Sequence, residues 1–167
     1  MAGNNTIASK ITLTSRSPEE TRQLGAIIGR LASPGDVLLL TGKLGAGKTC
    51  LTQGIAAGLG TDEGALSSSF VIMREIKGRL PLYHIDLYRL ENIGEIADLG
   101  LDDYLCGQGL SVVEWAERAP ELLPPQHLLI EIEYGEGNRR RLNLIACGQR
   151  YQKMANRIEN LYREAAS

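Results

Sequence analysis

The stretch GKLGAGKT at residues 42–49 has the residue types and spacing needed to bind a nucleoside triphosphate. It matches the phosphate-binding loop G-x-x-x-x-G-K-[ST] through Gly42, Gly47, Lys48 and Thr49. Glycines let backbone amides approach anionic oxygens, and the positive amino end of the following helix adds to the attraction. Lys48 is expected to reach the outer phosphates and the Thr49 hydroxyl to bind Mg²⁺. We predict nucleotide contacts along the whole segment, from Gly42, Leu44, Gly45, Ala46, Gly47, Lys48, Thr49 and Cys50.

A phosphate-binding loop also needs a carboxylate at the end of a neighbouring strand, where it holds the metal ion or its water shell. Glu114 ends the apolar segment LSVVE, and Asp86 follows a shorter alternating segment within YHIDLYR. The alternatives are that Glu114 is an ordinary strand-end carboxylate and that Asp86 forms a surface ion pair with Arg89. The sequence favours a packed, hydrogen-bonded role for His84 over a role as catalytic base.

Two further polar segments each have a functional and a plain interpretation. Ser67, Ser68 and Ser69 precede a predicted strand, where a hydroxyl could contact Mg²⁺ or the γ-phosphate and order the loop. The alternative is a plain polar turn. The run from Arg139 to Arg141 could bind phosphate or RNA, although three basic residues at a hairpin more often form a solvated group that protects a sheet edge.

The surrounding segments are predicted to hold the loop between a buried strand and a helix. Asp36–Thr41 is a nearly continuous apolar run, typical of a central strand that is covered on both faces. Lys48–Leu59 follows as a helix, which Gly60 ends. The other predicted elements are a strand at 10–14, a capped helix starting at Ser17-Pro18, a hairpin around 77–79, short helical pieces over 91–106, a strand within 109–115, a hairpin around 135–137 and a final amphipathic helix from Gln149.

Length and composition indicate one soluble domain. The chain has 167 residues, enough for a single sizeable core, and 43% of them are apolar and 23% charged. A net charge of −2 provides no whole-protein attraction to nucleic acid or to an anionic membrane. Residues 1–9 are polar and expected to be disordered, so we assign the single domain to residues 10–167.

The cysteines and the apolar segments point to a reducing, cytoplasmic location. The three cysteines are scattered and form no C-x-x-C pair, which argues against a zinc site or a disulfide framework. The first ten residues lack the apolar segment of a secretory signal, and no apolar run approaches the length that spans a bilayer.

Beyond the loop, a series of motifs resembles the TsaE (YjeE) family of small P-loop ATPases. GKLGAGKT, SSSF, YHIDLYRL, LGLDDYL and VVEWAER follow one another in the family's order, between about Ser17 and Arg141. HIDLYRL with a downstream VEW is far more specific than the phosphate-binding loop alone. The resemblance implies one α/β domain of the P-loop NTPase kind, with a mostly parallel central sheet and helices on both faces.

The resemblance also implies a role in bacterial tRNA threonylcarbamoyladenosine biosynthesis. Proteins of this family use ATP and Mg²⁺ as cofactors and assist the tRNA-modifying pair TsaB and TsaD. On this basis, slow ATP hydrolysis is expected to reset the TsaB–TsaD complex between turnovers. We expect tRNA to be contacted only through that complex, with no membrane association and no small-molecule acceptor.

Several site residues carry over from the family motifs. Lys48 matches the phosphate-binding lysine, and Thr49 matches the hydroxyl ligand of Mg²⁺. Glu114 matches the glutamate of VEW, which is also assigned to Mg²⁺, and Asp86 matches an aspartate that positions water or acts as a base. These matches imply catalytic roles for Lys48, Asp86 and Glu114.

Other nucleotide contacts follow less directly from the resemblance. Trp115 matches the tryptophan beside the metal site, and Arg140 matches an arginine of the late hairpin that approaches the nucleotide. Ser69 occupies the position of a threonine that is suited to sense the γ-phosphate. The turn near Ser17 is implied to border the adenine.

The sequence departs from the family pattern at two places. Lys43 replaces the aspartate of the usual GDLGAGKT, which adds a positive charge near the phosphates. The usual S-P-T-F is Ser67-Ser68-Ser69-Phe70 here, and losing the proline loosens that segment. Two alternative functions therefore stay open at this point. One is a P-loop kinase of small molecules, although no arginine-rich lid is apparent, and the other is a nucleotide-dependent binding module with negligible hydrolysis.

Overall fold

The computed structural model describes residues 8–43, 45–61, 73–88, 94, 98, 100–105 and 107–166. Within these ranges seven strands form one sheet: β1 (Ala8–Ser15), β2 (Val37–Gly42), β3 (Met73–Ile76), β4 (Leu82–Asp86), β5 (Leu110–Glu114), β6 (His127–Tyr134) and β7 (Arg140–Cys147). The described helices are α1 (Pro18–Leu31), α2 (Lys48–Gly58), α3 (Leu101–Leu105) and α4 (Gln149–Ala166), with 3-10 turns at Ala116–Arg118 and Pro120–Leu122.

The sheet has a parallel centre and antiparallel margins. Its strand order is β1-β7-β6-β2-β5-β4-β3, and β6, β2, β5 and β4 run parallel to one another. The pairs β3–β4 and β6–β7 are antiparallel because short hairpins join them, as the sequence predicted, and β1 adds antiparallel to β7. The carboxyl ends of β2, β5 and β4 consequently meet at one edge of the sheet.

Side chains of β2 alternate between two hydrophobic cores. Leu38 and Leu40 pack in the larger core, with α1, α2 and α4. Val37 and Leu39 face the opposite side, in a smaller core that the short helix α3 and the 3-10 turns help to cover. The helices thus lie on both faces of an α/β sheet, as predicted, with the three long ones all on one face. No helix of the described residues is both long and apolar enough to cross a membrane.

Local signals placed the start of α1 correctly. The Ser17 hydroxyl accepts a hydrogen bond of 3.1 Å from the Glu20 amide, and the Glu20 carboxylate accepts one of 2.6 Å from the Arg16 amide. The predicted strand at 10–14 extends over Ala8–Ser15, and the predicted helix from Lys48 ends one residue earlier, at Gly58. Of the short helical pieces predicted over 91–106, one is observed at Leu101–Leu105, and most of 91–99 lies outside the described residues.

Helices α1 and α2 touch backbone to backbone through glycines. A methyl group built on Gly54 would lie 2.2 Å from the Arg22 carbonyl oxygen, and one built on Gly25 would lie 2.4 Å from the Leu51 carbonyl oxygen. One turn further along, Gly58 and Gly29 make equally close approaches to the opposite helix. Because α2 begins at the phosphate-binding motif, this contact fixes the position of the motif's helix against α1.

The opposite end of β2 is held by an ion pair between a buried carboxylate and an exposed arginine. Arg150, at the start of α4, donates two hydrogen bonds to the buried Asp36 carboxylate, at 2.7 and 3.2 Å. The Ser33 amide donates a third, at 2.8 Å. Asp36 raises the pKa of Arg150, mainly by accepting these hydrogen bonds. The next residue of α4, Tyr151, accepts a 2.9 Å hydrogen bond from the Val37 amide, so α4 is anchored far from the glycine-rich loop.

Candidate functional site

The glycine-rich loop joins the carboxyl end of β2 to the amino end of α2. Gly42, Gly45 and Gly47 have φ angles of 152°, 80° and 119°, a region that side-chain-bearing residues rarely adopt. Gly47 is the N-cap of α2, and no side chain caps the helix there. The first turn of α2 holds no acidic residue, and it begins with Lys48. This helix end is therefore positive without compensation from its own sequence, an arrangement suited to an anionic ligand.

The Lys48 ammonium is hydrogen-bonded to the backbone of the glycine-rich loop. Its Nζ donates hydrogen bonds to the carbonyl oxygens of Gly42, at 2.5 Å, and Lys43, at 3.0 Å. It also sits 4.1 Å from the centre of the Trp115 ring. The residue is only 5% exposed, and burial lowers the pKa of Lys48. The nearby carboxylates, Glu114 foremost, oppose that shift.

Glu114 ends β5 as a buried carboxylate, held by two neighbours. Its Oε2 lies 2.5 Å from His84 Nε2, and because a carboxylate only accepts hydrogen bonds, the imidazole N–H donates. The Thr52 hydroxyl lies 3.3 Å from the same oxygen and 2.9 Å from the Lys48 carbonyl, so its single proton can serve either one. The prediction of a packed, hydrogen-bonded His84 is confirmed. Thr52 was not among the site residues predicted from the sequence.

Asp86 lies beside Glu114 on the adjacent strand. The two residues are direct partners in the parallel register of β4 and β5, so both predicted carboxylates end at the same edge of the sheet. Asp86 Oδ1 accepts a 3.0 Å hydrogen bond from the Tyr88 amide. Burial raises the pKa of Asp86, and the negative charge of Glu114 raises it further. The alternative ion pair with Arg89 lies outside the described residues.

Trp115 covers Lys48 in a strained backbone conformation. It is the one non-glycine residue with positive φ in the described part of the chain, at 60°. Such conformations cost on the order of 1–3 kcal/mol and concentrate at functional sites. The exposed ring of Tyr88 lies 4.7 Å from the Trp115 ring and extends the aromatic cover to the surface. Tyr88 was not among the predicted site residues, because a lone surface tyrosine has no distinguishing pattern.

The three arginines of the late hairpin have different surroundings. Arg140 turns toward the loop, where its Nε donates a 3.1 Å hydrogen bond to the Ala46 carbonyl and its guanidinium lies 4.6 Å from the Tyr134 ring. Arg141 forms an exposed pair with Glu133, at 3.4 Å. The interpretation as a group protecting a sheet edge is wrong, because β7 pairs with β1 on one side and β6 on the other.

A small cavity of about 130 Å³ connects the loop to the start of α1. Gly47 and Cys50 line it from the loop and α2, Pro18 and Thr21 from α1, and Arg140 from the late hairpin. The predicted nucleotide contacts of Gly45, Ala46, Cys50 and Arg140 therefore lie around a single space, which the first turn of α1 also lines. The predicted adenine border at the turn before α1, near Ser17, stays a prediction. The described cysteines, Cys50 and Cys147, are free thiols.

Among the remaining predicted site residues, the structure describes Thr49 but not Leu44 or the three serines. Thr49 is exposed on the first turn of α2. Leu44, Ser69 and the serines before it lie outside the described residues, and the catalytic, nucleotide-binding and metal-binding roles of all the predicted residues stay predictions. Across the described ranges, no group of three or more histidine, cysteine, aspartate and glutamate side chains is arranged to hold a metal ion. Mg²⁺ is commonly held by one or two protein ligands together with phosphate oxygens and water, so a hydroxyl and a carboxylate such as Thr49 and Glu114 suit it.

Comparison with known proteins identifies relatives over most of the chain. The family model "Threonylcarbamoyl adenosine biosynthesis protein TsaE" matches residues 15–142. The chain is 44% identical to a Bacillus subtilis protein named tRNA threonylcarbamoyladenosine biosynthesis protein TsaE, over 85% of this chain and 89% of that protein. It is 40% identical to the Treponema pallidum protein of the same name, over 75% of this chain and 93% of the relative.

A solved structure shows the same fold. The crystal structure of Bacillus subtilis YdiB superimposes with a TM-score of 0.79 and 37% sequence identity, and the match covers 92% of this chain and 97% of YdiB. The β-strands and helices described above, and not only the loop motif, are therefore similar in the two proteins.

Proposed function

The chain belongs to the TsaE family of tRNA threonylcarbamoyladenosine biosynthesis proteins, and from this premise we propose that it binds Mg²⁺·ATP at the loop of residues 42–49 and hydrolyses it slowly. Hydrolysis then serves to reset a TsaB–TsaD complex that modifies tRNA. A net charge of −2 fits this division of labour, since the partner complex would supply most of the contact with RNA.

The observation that carries the proposal is the amino end of α2, whose first turn holds Lys48 and no acidic residue. A lysine in the first turn of a helix is unfavourable next to the helix dipole, and burial of its ammonium adds a further cost. Phosphate oxygens would offset both costs, because they accept hydrogen bonds from the backbone amides and from Lys48 in the same place. The positive φ angles of Gly45 and Gly47 give the backbone the curvature that such a cradle requires.

The nearby polar side chains suit the metal ion and the attacking water. Thr49 and Glu114 would hold Mg²⁺, which when bound neutralises charge on the outer phosphates. His84 fixes the orientation of the Glu114 carboxylate by donating to one of its oxygens. Asp86 would position water or accept its proton, because its raised pKa makes it a stronger base than an ordinary aspartate.

Calorimetric titration of the purified protein with ATP, with and without Mg²⁺, tests nucleotide binding. Lys48→Ala is expected to weaken ATP binding at least tenfold, because it removes a buried charge that faces the phosphates. Lys77→Ala is the matched control, since Lys77 is an exposed lysine in the β3–β4 hairpin. Equal ATP affinity for the unaltered protein, Lys48→Ala and Lys77→Ala would refute the assigned site.

Steady-state hydrolysis separates the assigned roles. Glu114→Gln should abolish the Mg²⁺ dependence of ATP binding and reduce turnover, whereas Glu75→Gln, at an exposed position on β3, should change neither. If Glu114→Gln retains the Mg²⁺ dependence of ATP binding and the normal turnover, the assignment of Glu114 to the metal ion is wrong. Turnover that requires an added small acceptor would favour the kinase alternative, and formation of threonylcarbamoyladenosine with TsaB and TsaD tests the wider role.

A further inference from the structure

A second concave surface lies on the sheet face opposite the three long helices. This groove, of about 730 Å³, has side chains of β2 and β6 on its floor, including Leu39 and Leu129. The loop from Ala116 to Pro125 forms its wall, with Leu123 and three prolines. Leu123 and Leu129 are only partly buried, so the floor and wall still present apolar surface to solvent.

The groove carries negative charge. Glu117, Glu121 and Glu131 line it, and its described lining includes no lysine or arginine. Glu117 and Glu121 are exposed and Glu131 is half-buried. In the described part of the chain, no basic side chain forms an ion pair with any of the three. An apolar floor below three carboxylates suits a ligand that combines an apolar group with positive charge.

The groove adjoins the candidate nucleotide site through the chain itself. Thr41 lines the groove and is followed directly by Gly42, the first residue of the phosphate-binding motif. Ala116 and Glu117 line it from the other side and follow Trp115, whose ring covers the Lys48 ammonium. The charge of Glu117 also acts on Lys48. A ligand in the groove would therefore contact residues directly bonded to both walls of the nucleotide site.

We propose that the groove is a docking surface for a protein partner, and that it receives a segment in which an apolar side chain is flanked by lysine or arginine. Three carboxylates would repel RNA, so they favour a protein over the nucleic acid of the pathway. Exposed Pro120 and Pro125 leave the groove open along its wall, whereas small-molecule sites enclose most of their ligand. The proposal rests on the proposed function, in which the partner is the TsaB–TsaD complex.

A charge-reversal experiment tests the surface. Glu121 and Glu131 are replaced together by lysine, because neither is among the proposed nucleotide contacts; Glu131 also lines a cavity beside Gly42 and Lys43, which is why ATP affinity is measured for the same variant. The matched control replaces Glu75 and Glu164 by lysine. These residues are exposed on β3 and α4, away from the groove. Both variants change the net charge equally. Binding to purified TsaB–TsaD is measured with Mg²⁺·ATP by biolayer interferometry, and ATP affinity is measured separately by calorimetry.

We expect Glu121→Lys/Glu131→Lys to weaken binding to TsaB–TsaD at least tenfold, with unchanged ATP affinity, while the control variant binds like the unaltered chain. Binding of the unaltered chain should also weaken between roughly 50 and roughly 300 mM salt, more steeply than binding of the groove variant. Circular dichroism verifies that each variant is folded, and a Glu121→Gln/Glu131→Gln variant, which only removes charge, should show an intermediate effect.

The other outcomes each overturn the proposal in a distinguishable way. Full binding by the groove variant would overturn the docking surface but leave the proposed function intact. A failure of the unaltered chain to bind TsaB–TsaD would overturn both. Loss of ATP affinity in the groove variant would attribute the effect to the nucleotide site instead. A dimer of the unaltered chain that the groove variant dissociates, seen by sedimentation, would identify a second copy of the chain as the occupant.

Discussion

Replacing Gly54 by alanine tests the backbone contact that positions α2, the helix that follows the glycine-rich loop. An added methyl group would lie 2.2 Å from the Arg22 carbonyl oxygen, whereas ordinary contact begins at 3.4 Å. The obstructing atom belongs to the backbone of α1, so no side-chain rotation can relieve the clash. Helices α1 and α2 would have to separate by roughly 1 Å, which would open the close packing of the larger core.

Two opposing effects determine how much Gly54→Ala changes the free energy of unfolding. Alanine is favoured over glycine inside a helix by about 1 kcal/mol, which on its own would stabilise the variant. Overpacking of a tight interface costs typically 1–3 kcal/mol, and more where the backbone has to move. Because Gly25 makes the reciprocal contact only one turn away, the helices cannot relieve the clash by tilting locally. We therefore expect a net destabilisation of about 1–3 kcal/mol.

Urea denaturation followed by circular dichroism and by tryptophan emission measures this free energy. Ala57→Gly is the matched control, because Ala57 is exposed on the same helix and reports the propensity difference without the packing. Gly54→Ala should also weaken ATP binding, since a displaced α2 carries Lys48 and Thr49 with it. The close contact of α1 and α2 would be refuted if Gly54→Ala increased the free energy of unfolding by as much as Ala57→Gly decreases it.

Three further predictions concern charges and rings. Burial raises the pKa of Asp86 above its ordinary 3.8. The favourable contribution of this group to the free energy of unfolding is therefore fully present below pH 3.8, and it is lost as the pH rises through the raised pKa. Asp86→Asn should therefore be more stable than the unaltered chain at neutral pH while hydrolysing ATP more slowly, as urea denaturation over a pH series and a phosphate-release assay would measure. Trp115 is the only tryptophan of the chain, so its emission should change when Mg²⁺·ATP draws the Lys48 ammonium from its ring, and Lys48→Ala should remove that response. Arg150→Met should cost about 1–3 kcal/mol in urea denaturation, because the buried Asp36 carboxylate loses two charged donors, and it should leave ATP affinity unchanged because this pair lies at the far end of β2.

Predictions that depended on local pattern agree with the structure. The Ser17 cap, the buried strand before Gly42, the helix from Lys48 and the hairpins at both margins follow from short-range turn chemistry and periodicity. The edge-protection interpretation of the arginines failed because it required the strand order, and no local pattern states that β1 would cover β7. The catalytic, nucleotide-binding and metal-binding roles stay predictions, and Ser69 and Leu44 lie outside the described residues.

The amino-acid sequence by itself determined the glycine-rich loop that we propose as the phosphate site, because its glycines, lysine and hydroxyl lie within eight consecutive residues and need only the strand and helix beside them. Only the tertiary structure decided which distant groups surround that loop. His84 meets Glu114 because β4 and β5 are neighbours in the parallel register, and Arg140 reaches Ala46 across 94 residues of sequence. Such contacts depend on strand order and on the separation of packed helices, which arise from the packing of the whole chain and have no local signature.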